Sequence, residues 1–213
     1  TFWDLFSGND NDQPLEEQPG NQLAGVDFRW SVPWIPLALY GQGIGEDEAG
    51  GFPSKYLGLF GAETWGGFGE RSWRVHVEYA DTVCNFPEDP PEFGCAYRNV
   101  IYTDGYQYHN RSIGHAIDGD SEQLAVGGIL VSPNGSSWEF AAQDVKVNRQ
   151  GANLVHSVSL EPVTIRSADV YHRRGWLGGD LKVGVGFEQR DSTDAAMKSD
   201  EVRGFVEWSR AFN

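Results

Sequence analysis

Positive charge is scarce in this sequence: 16 Lys and Arg stand against 31 Asp and Glu, for a formal net charge of −15. No basic patch stands out, which argues against recognition of nucleic acid through its phosphates. Long apolar runs are missing as well. No stretch of about 18 apolar residues occurs, so no membrane-spanning helix is expected. The opening residues, TFWDLFSGND, lack the basic start and apolar core of a signal peptide. If the protein is exported, its targeting segment lies outside this sequence. Cysteine is reduced to two, Cys84 and Cys95, with ten residues between them in a loop rich in Pro and acidic groups. Such a pair reads as a loop-closing disulfide in an oxidising compartment, with two free thiols as the alternative. No further sulfur is available for a zinc site. There is no Gly-Xaa-Ser-Xaa-Gly elbow, phosphate-binding loop or zinc motif.

What the sequence does have is glycine (27 residues) and aromatic side chains (13%), a composition that suits pleated sheets. Period-2 alternation recurs along the chain. In SWRVHVEYADT (72–82), Trp73, Val75, Val77 and Tyr79 fall on one side, while Arg74, His76 and Glu78 fall on the other. Val26, Phe28, Trp30 and Val32 alternate in the same way with Asp27, Arg29 and Ser31. Leu181, Val183, Val185 and Phe187 alternate with Lys182 and Glu188. Helical periodicity is weak throughout. The pattern predicts nine strands, near 23–32, 36–45, 55–63, 72–82, 123–131, 137–147, 163–172, 181–190 and 203–212.

Alternation alone fits a soluble sandwich or a membrane barrel. Three features favour an all-β, antiparallel transmembrane β-barrel. Aromatics sit near strand ends on the apolar side (Trp30, Trp73, Tyr79, Trp138, Phe187, Trp208). Ionised groups occupy the polar side in mid-strand (Arg29, Arg74, His76, Glu78, Lys182, Glu207). The last predicted strand closes on Phe212, next to the final residue. Connections also alternate between short and long, as barrel turns and outer loops do. The expected inner turns are 32–35, 65–71, 132–136 and 173–180. The expected outer loops are 45–55, 83–122, 148–162 and 191–202, with residues 1–21 also outside. Single-chain bacterial barrels have an even strand number, so about nine strands predict the C-terminal part of a larger barrel.

The long loop carries IYTDGYQYHNRSIGHAIDGDS (101–121). With YGQGIGEDE (40–48) and VEYADT (77–82), in that order, it resembles the capsule assembly protein Wzi family. The resemblance covers nearly all of this chain and the C-terminal half of the family's length. It implies an outer-membrane barrel of about eighteen strands in a Gram-negative bacterium, of which residues 1–213 form the C-terminal part, with a long extracellular loop at about 83–122. It implies a non-enzymatic, lectin-like protein that binds and organises capsular or other acidic polysaccharide at the cell surface, with no cofactor. The implied partners are that polysaccharide, outer-membrane lipid and the remaining N-terminal barrel strands, and not nucleic acid.

The candidate polysaccharide-binding residues are Tyr102, Tyr106, Tyr108, Arg111, His115, Asp118 and Asp120. Tyr rings stack on apolar sugar faces while their hydroxyls hydrogen-bond. Arg98 and Arg111 offer pairing to uronate carboxylates. The competing reading is loop architecture: Asp118-Gly119-Asp120-Ser121 is turn chemistry, and His115 then serves structure. The acidic runs Glu46-Asp47-Glu48 and Asp118-Gly119-Asp120 contain oxygen ligands of the kind Ca²⁺ takes but lack the spacing of an EF-hand loop, so solvated acidic loops are expected. Other functional classes kept open are a secreted β-sandwich polysaccharide hydrolase or lyase, and a passive porin.

Overall fold

The computed structural model describes residues 23–49, 52–87, 90–98 and 105–210. Its frame is a nine-stranded antiparallel sheet in the order β1-β2-β3-β4-β7-β8-β9-β10-β11. The strands are β1 (Ala24–Ser31), β2 (Leu37–Ala49), β3 (Phe52–Phe68), β4 (Arg71–Asp81), β7 (Glu122–Val131), β8 (Ser137–Val147), β9 (Val163–Trp176), β10 (Gly179–Ser192) and β11 (Ser199–Ser209). A small hairpin, β5 (Gln107–Tyr108) and β6 (Arg111–Ser112), lies in the insert between β4 and β7. Every strand of the large sheet pairs with its neighbour in that series, and the sheet is not closed: β1 and β11 are its edges among the described residues. No helix among those residues is long and apolar enough to cross a membrane.

The register fixes which side chains share a face, because paired residues in adjacent strands point the same way. One row runs Leu39, Ala62, Val77, Val126, Ala142, Ala168, Phe187 and Val202 from β2 to β11. This face is apolar, and nothing among the described residues covers most of it. Val26, Val202 and Val206 are 71%, 74% and 73% exposed. Trp30, Trp73, Trp138, Trp176 and Trp208 belong to it at the end where the chain makes short turns. Phe60, Tyr79 and Phe187 lie towards the opposite end. Beyond them the row turns polar: Asp144 faces Arg166, which faces Gln189.

The other face is charged, and several of its ions are paired. Glu63, 6% exposed, is held by Arg29 and by Arg74. Tyr40 donates to Glu78 at 3.2 Å, and Tyr171 donates to Glu139. Lys182 Nζ lies 3.7 Å from the centre of the Tyr171 ring, and Arg203 reaches Asp169 at 3.0 Å. One face therefore suits an apolar medium and the other a wet interior.

Strand boundaries differ from the expectation at both ends. The expected outer loop at 45–55 is mostly paired strand: Gly45, Asp47, Glu48 and Ala49 pair with Tyr56, Ser54, Pro53 and Phe52. The expected outer loop at 191–202 shrinks to 193–198, and the expected inner turn at 173–180 shrinks to Leu177-Gly178, both at positive φ (50° and 71°). Two consecutive positive-φ residues make the primed turn that matches strand twist. Backbone pairing runs beyond the apolar belt, so it outlasts the hydropathy signal. The connections at 132–136 and 148–162 fall where expected, as do the start and end of the long insert within one residue. Residues 1–21 and Phe212 lie outside the described residues.

Candidate functional site

The insert between β4 and β7 folds back over the polar face. Its two ends are tied together: Thr82 N–H donates to Ser121 O at 2.9 Å, and Ser121 N–H donates to Thr82 Oγ1 at 3.0 Å. The Thr82 hydroxyl donates to Asp118 O at 2.6 Å. Ile117 is then pressed into Ala80, Val145, Val147, Val163 and Ile165. A second small core joins Leu57 to Cys84, Ala96 and Tyr97. Cys84 and Cys95 form a disulfide, with Cα atoms 6.0 Å apart.

Asp118 and Asp120 are 1% and 0% exposed and both adopt positive φ (61° and 56°). Asp tolerates that region better than most residues. Asp118 accepts from Gly119 N–H (2.8 Å), Ser157 N–H (2.7 Å) and the Gln107 side-chain amide (3.2 Å). Both Asp120 carboxylate oxygens accept from Gly94 N–H, at 2.9 and 2.8 Å. Burial raises the Asp120 pKa above its ordinary value, against the opposing effect of that amide. These carboxylates hold the insert together, and a ligand does not reach them in this structure.

The connection at 148–162 is packed against the insert. Buried Asn148 donates to the carbonyls of Asn153 (3.0 Å), Ser159 (3.2 Å) and Leu160 (2.9 Å), and accepts from Asn153 N–H (3.1 Å). Arg149 bridges Glu122 (2.7 Å) and Asp81 (3.1 Å) across β7 and β4. His156 is 5% exposed. Its Nδ1 accepts from Val158 N–H (3.1 Å) and Ser159 N–H (3.3 Å), which places the proton on Nε2, 3.1 Å from Ser121 Oγ. That imidazole donates to the serine, so it is not positioned to take the serine's proton as a hydrolase would require.

This geometry predicts a pH dependence. Burial pushes the His156 pKa below its ordinary 6.5, and burial does the same at His115. Unfolded chain then binds the proton first. The contribution to stability is complete above about pH 6.5 and is lost as pH falls through that value towards the depressed folded pKa. Hydrogen exchange of peptides covering 148–162, corrected for intrinsic rates, should show full protection near pH 7.5 and weaker protection near pH 5. Equal protection at both pH values would mean that burial does not hold the histidine pKa values below their ordinary value.

Between the insert and the polar face lies a cleft of about 590 Å³. Its floor is Asp27, Gln42, Ile44 and Leu59, and its roof is Tyr97, Tyr106, Ile113 and His115. Tyr106 is 40% exposed, with its ring centre 6.1 Å from that of buried Tyr97. Tyr97 Oη accepts from His115 N–H at 3.1 Å, and the backbone of Tyr106 is bonded to Tyr97 O and to Ile113 N–H, both at 2.9 Å. The cleft thus offers an aromatic face, a carboxylate, a carboxamide and an imidazole at one place. Among the described residues no group of three or more His, Cys, Asp or Glu could hold a metal ion.

The structure sorts the sequence candidates into three groups. Tyr106 and His115 line the cleft. Tyr108 and Arg111 sit at the exposed tip of the β5–β6 hairpin, where His109 packs edge-on against Tyr108 with ring centres 4.2 Å apart. Asp118 and Asp120 are buried struts. Tyr102 lies outside the described residues, as do the side chains of Asp47 and Glu48. Arg98 donates to Ala152 O at 3.1 Å and belongs to the loop framework. Sequence reasoning passed over Tyr97, Gln107, Asn148 and His156. Asn148, at φ 47° three residues before Gly151, carried a readable turn signal. The others carried none.

Comparison with known proteins follows the same lines. The family model described as capsule assembly protein Wzi matches residues 1–201. A protein of Klebsiella pneumoniae, described as an uncharacterized 55.8 kDa protein in the cps region, is 35% identical over 180 residues, covering 80% of this chain and 34% of the relative. A solved structure, described as Wzi, an outer membrane protein involved in group 1 capsule assembly in Escherichia coli and a carbohydrate-binding β-barrel, superposes with a TM-score of 0.74 at 23% identity. It covers 96% of this chain, which spans 45% of that one. The fold is therefore shared with a barrel of about twice the length, and the chain belongs to the capsule assembly protein Wzi family.

Proposed function

We propose that this chain is the C-terminal part of an outer-membrane β-barrel that binds capsular polysaccharide at the cell surface and organises it there without turning it over. The observation that carries the reading is the pairing of an uncovered apolar face with an opposite, polar face that the insert caps. An apolar belt of this extent on an isolated chain needs a lipid or protein cover. In lipid, the open edges of β1 and β11 would leave backbone groups unpaired at several kcal/mol each. Further strands must then close the sheet, into a barrel of about eighteen. The long insert then lies outside the cell, as do the other connections at its end.

The cleft under the insert is the proposed glycan site, with Tyr106 as the stacking ring and the Tyr108–Arg111 tip as a second contact, Arg111 suiting an acidic sugar. In the E. coli barrel, carbohydrate binding is part of the protein's own description, which supports the same role here. The test uses the protein purified in detergent and the capsular polysaccharide of its own strain. Tyr106→Ala should weaken binding by about five- to tenfold, the worth of one aromatic stack, and Tyr106→Phe should keep most of it. Unchanged affinity in Tyr106→Ala would move the site out of the cleft. No binding by the parent would end the reading.

A further inference from the structure

The disulfide-closed segment does not stay on the polar side. Cys84 is buried beside Leu57, Ala96 and Tyr97 under the insert. Two residues later, Phe86 lies across the sheet on the apolar face. Its ring stands over Gly58, where a Cβ would meet it at once, and packs 6.0 Å from Phe60 and 6.2 Å from Tyr79. Phe86 N–H is bonded to Tyr56 O at 2.9 Å, which fixes the segment along β3.

This segment turns the upper belt from a flat surface into a groove of about 480 Å³. Val26 and Phe28 of β1 on one side and Tyr56, Phe60 and Phe86 on the other give it mostly apolar walls, to which Gln42, Ser54, Lys55 and Asn85 add a few polar atoms. Gly43 of β2 is the floor, and a Cβ built there meets nothing within 4 Å. The groove continues downward into the apolar row of the sheet. A peptide lying in it would bring a run of backbone N–H and C=O groups to walls made mostly of rings and aliphatic groups, where the few polar side chains of the lining are too few to pair them all. A sugar would meet the same difficulty. A hydrocarbon chain is narrow, flexible and free of polar groups, and it is already present wherever the belt faces lipid.

We propose that this groove holds one hydrocarbon chain of a membrane lipid, clamped between Phe86 and the Val26–Phe28 side of β1. The proposal rests on the reading that the apolar face meets lipid. It gives the disulfide-closed segment a second task besides bracing the insert: to fix a lipid at the rim.

The test is photolabelling of the full-length protein, reconstituted in phosphatidylcholine vesicles that carry a diazirine in one acyl chain, with the labelled residues mapped by mass spectrometry. Labelling per residue should be several-fold higher at Val26, Phe28, Phe60 and Phe86 than at Val183 and Val206 on β10 and β11. Gly43→Phe fills the groove where the backbone has room, and it should remove the excess while leaving Val183 and Val206 labelled as before. Phe86→Ala opens the clamp from the other wall and should have the same effect. Uniform labelling of the parent, or an excess that survives both variants, overturns the proposal. Absence of label from Val183 and Val206 as well overturns the lipid-facing reading itself, which keeps the two failures distinct.

Discussion

Val77→Arg should prevent stable assembly in a bilayer, whereas His76→Gln, one residue away, should leave it nearly intact. Val77 is 44% exposed in the middle of β4, and its partners on the apolar face are Ala62 and Val126. An Arg at such a position has no carboxylate in its row and meets hydrocarbon, at a cost of about 2–4 kcal/mol at the midplane of such barrels. His76 lies on the opposite face, opposite Glu63 and Gly127 in the register, where a polar side chain finds water or charge. The measurement is refolding from urea into phospholipid vesicles, scored as the compact, heat-sensitive species on a gel. Val77→Arg should lose most of that species at denaturant concentrations where His76→Gln retains it. Equal behaviour of the two would mean that the faces have been assigned the wrong way round.

Asn148→Ala should unlock the 148–162 connection without unfolding the sheet. One side chain there serves three carbonyls and one amide. Ala leaves the carbonyls of Asn153 and Ser159 and the Asn153 amide without that partner in a buried place, and Leu160 O in a half-buried one, and each buried unsatisfied group costs about 1–3 kcal/mol before relaxation. A local loss of about 3–5 kcal/mol is expected, at the upper end for a single substitution. Limited proteolysis should cut between 149 and 161 at least a hundredfold faster, since about 2.8 kcal/mol already gives that ratio. The heat-sensitive band should persist. Asn148→Gly keeps the positive φ free of strain but removes the same bonds, so it should resemble Asn148→Ala. If Gly rescues protection, backbone strain rather than the side-chain network holds the loop.

The frame was legible because hydropathy and pleat share a period. Alternation placed all nine strands and separated Trp73, Val75 and Val77 from Arg74, His76 and Glu78 correctly. It failed where strands leave the belt. Residues 47–49 and 191–192 remain paired by backbone hydrogen bonds, which carry no side-chain signature. The site was only half legible. The composition of 101–121 marked it as polar and aromatic, but whether Asp118 binds sugar or amides depends on Ser157, which lies 39 residues away. Phe86 reads as an unremarkable loop aromatic until Gly58, on another strand, is seen beneath it.

The closure of the insert has a bearing on how such chains diverge. Asp81 and Glu122 are register partners, so everything between them leaves the sheet and returns at a single point. Thr82 and Ser121 fasten that point with hydrogen bonds to each other, and Asp118 and Asp120 add theirs to Thr82. Segments whose ends meet side by side are where exchange and length change are best tolerated. A descendant facing a different surface polymer can therefore inherit the frame whole and replace the outer part of what hangs between those two residues, provided that the Ile117–Asp120 stretch that seats the insert is kept.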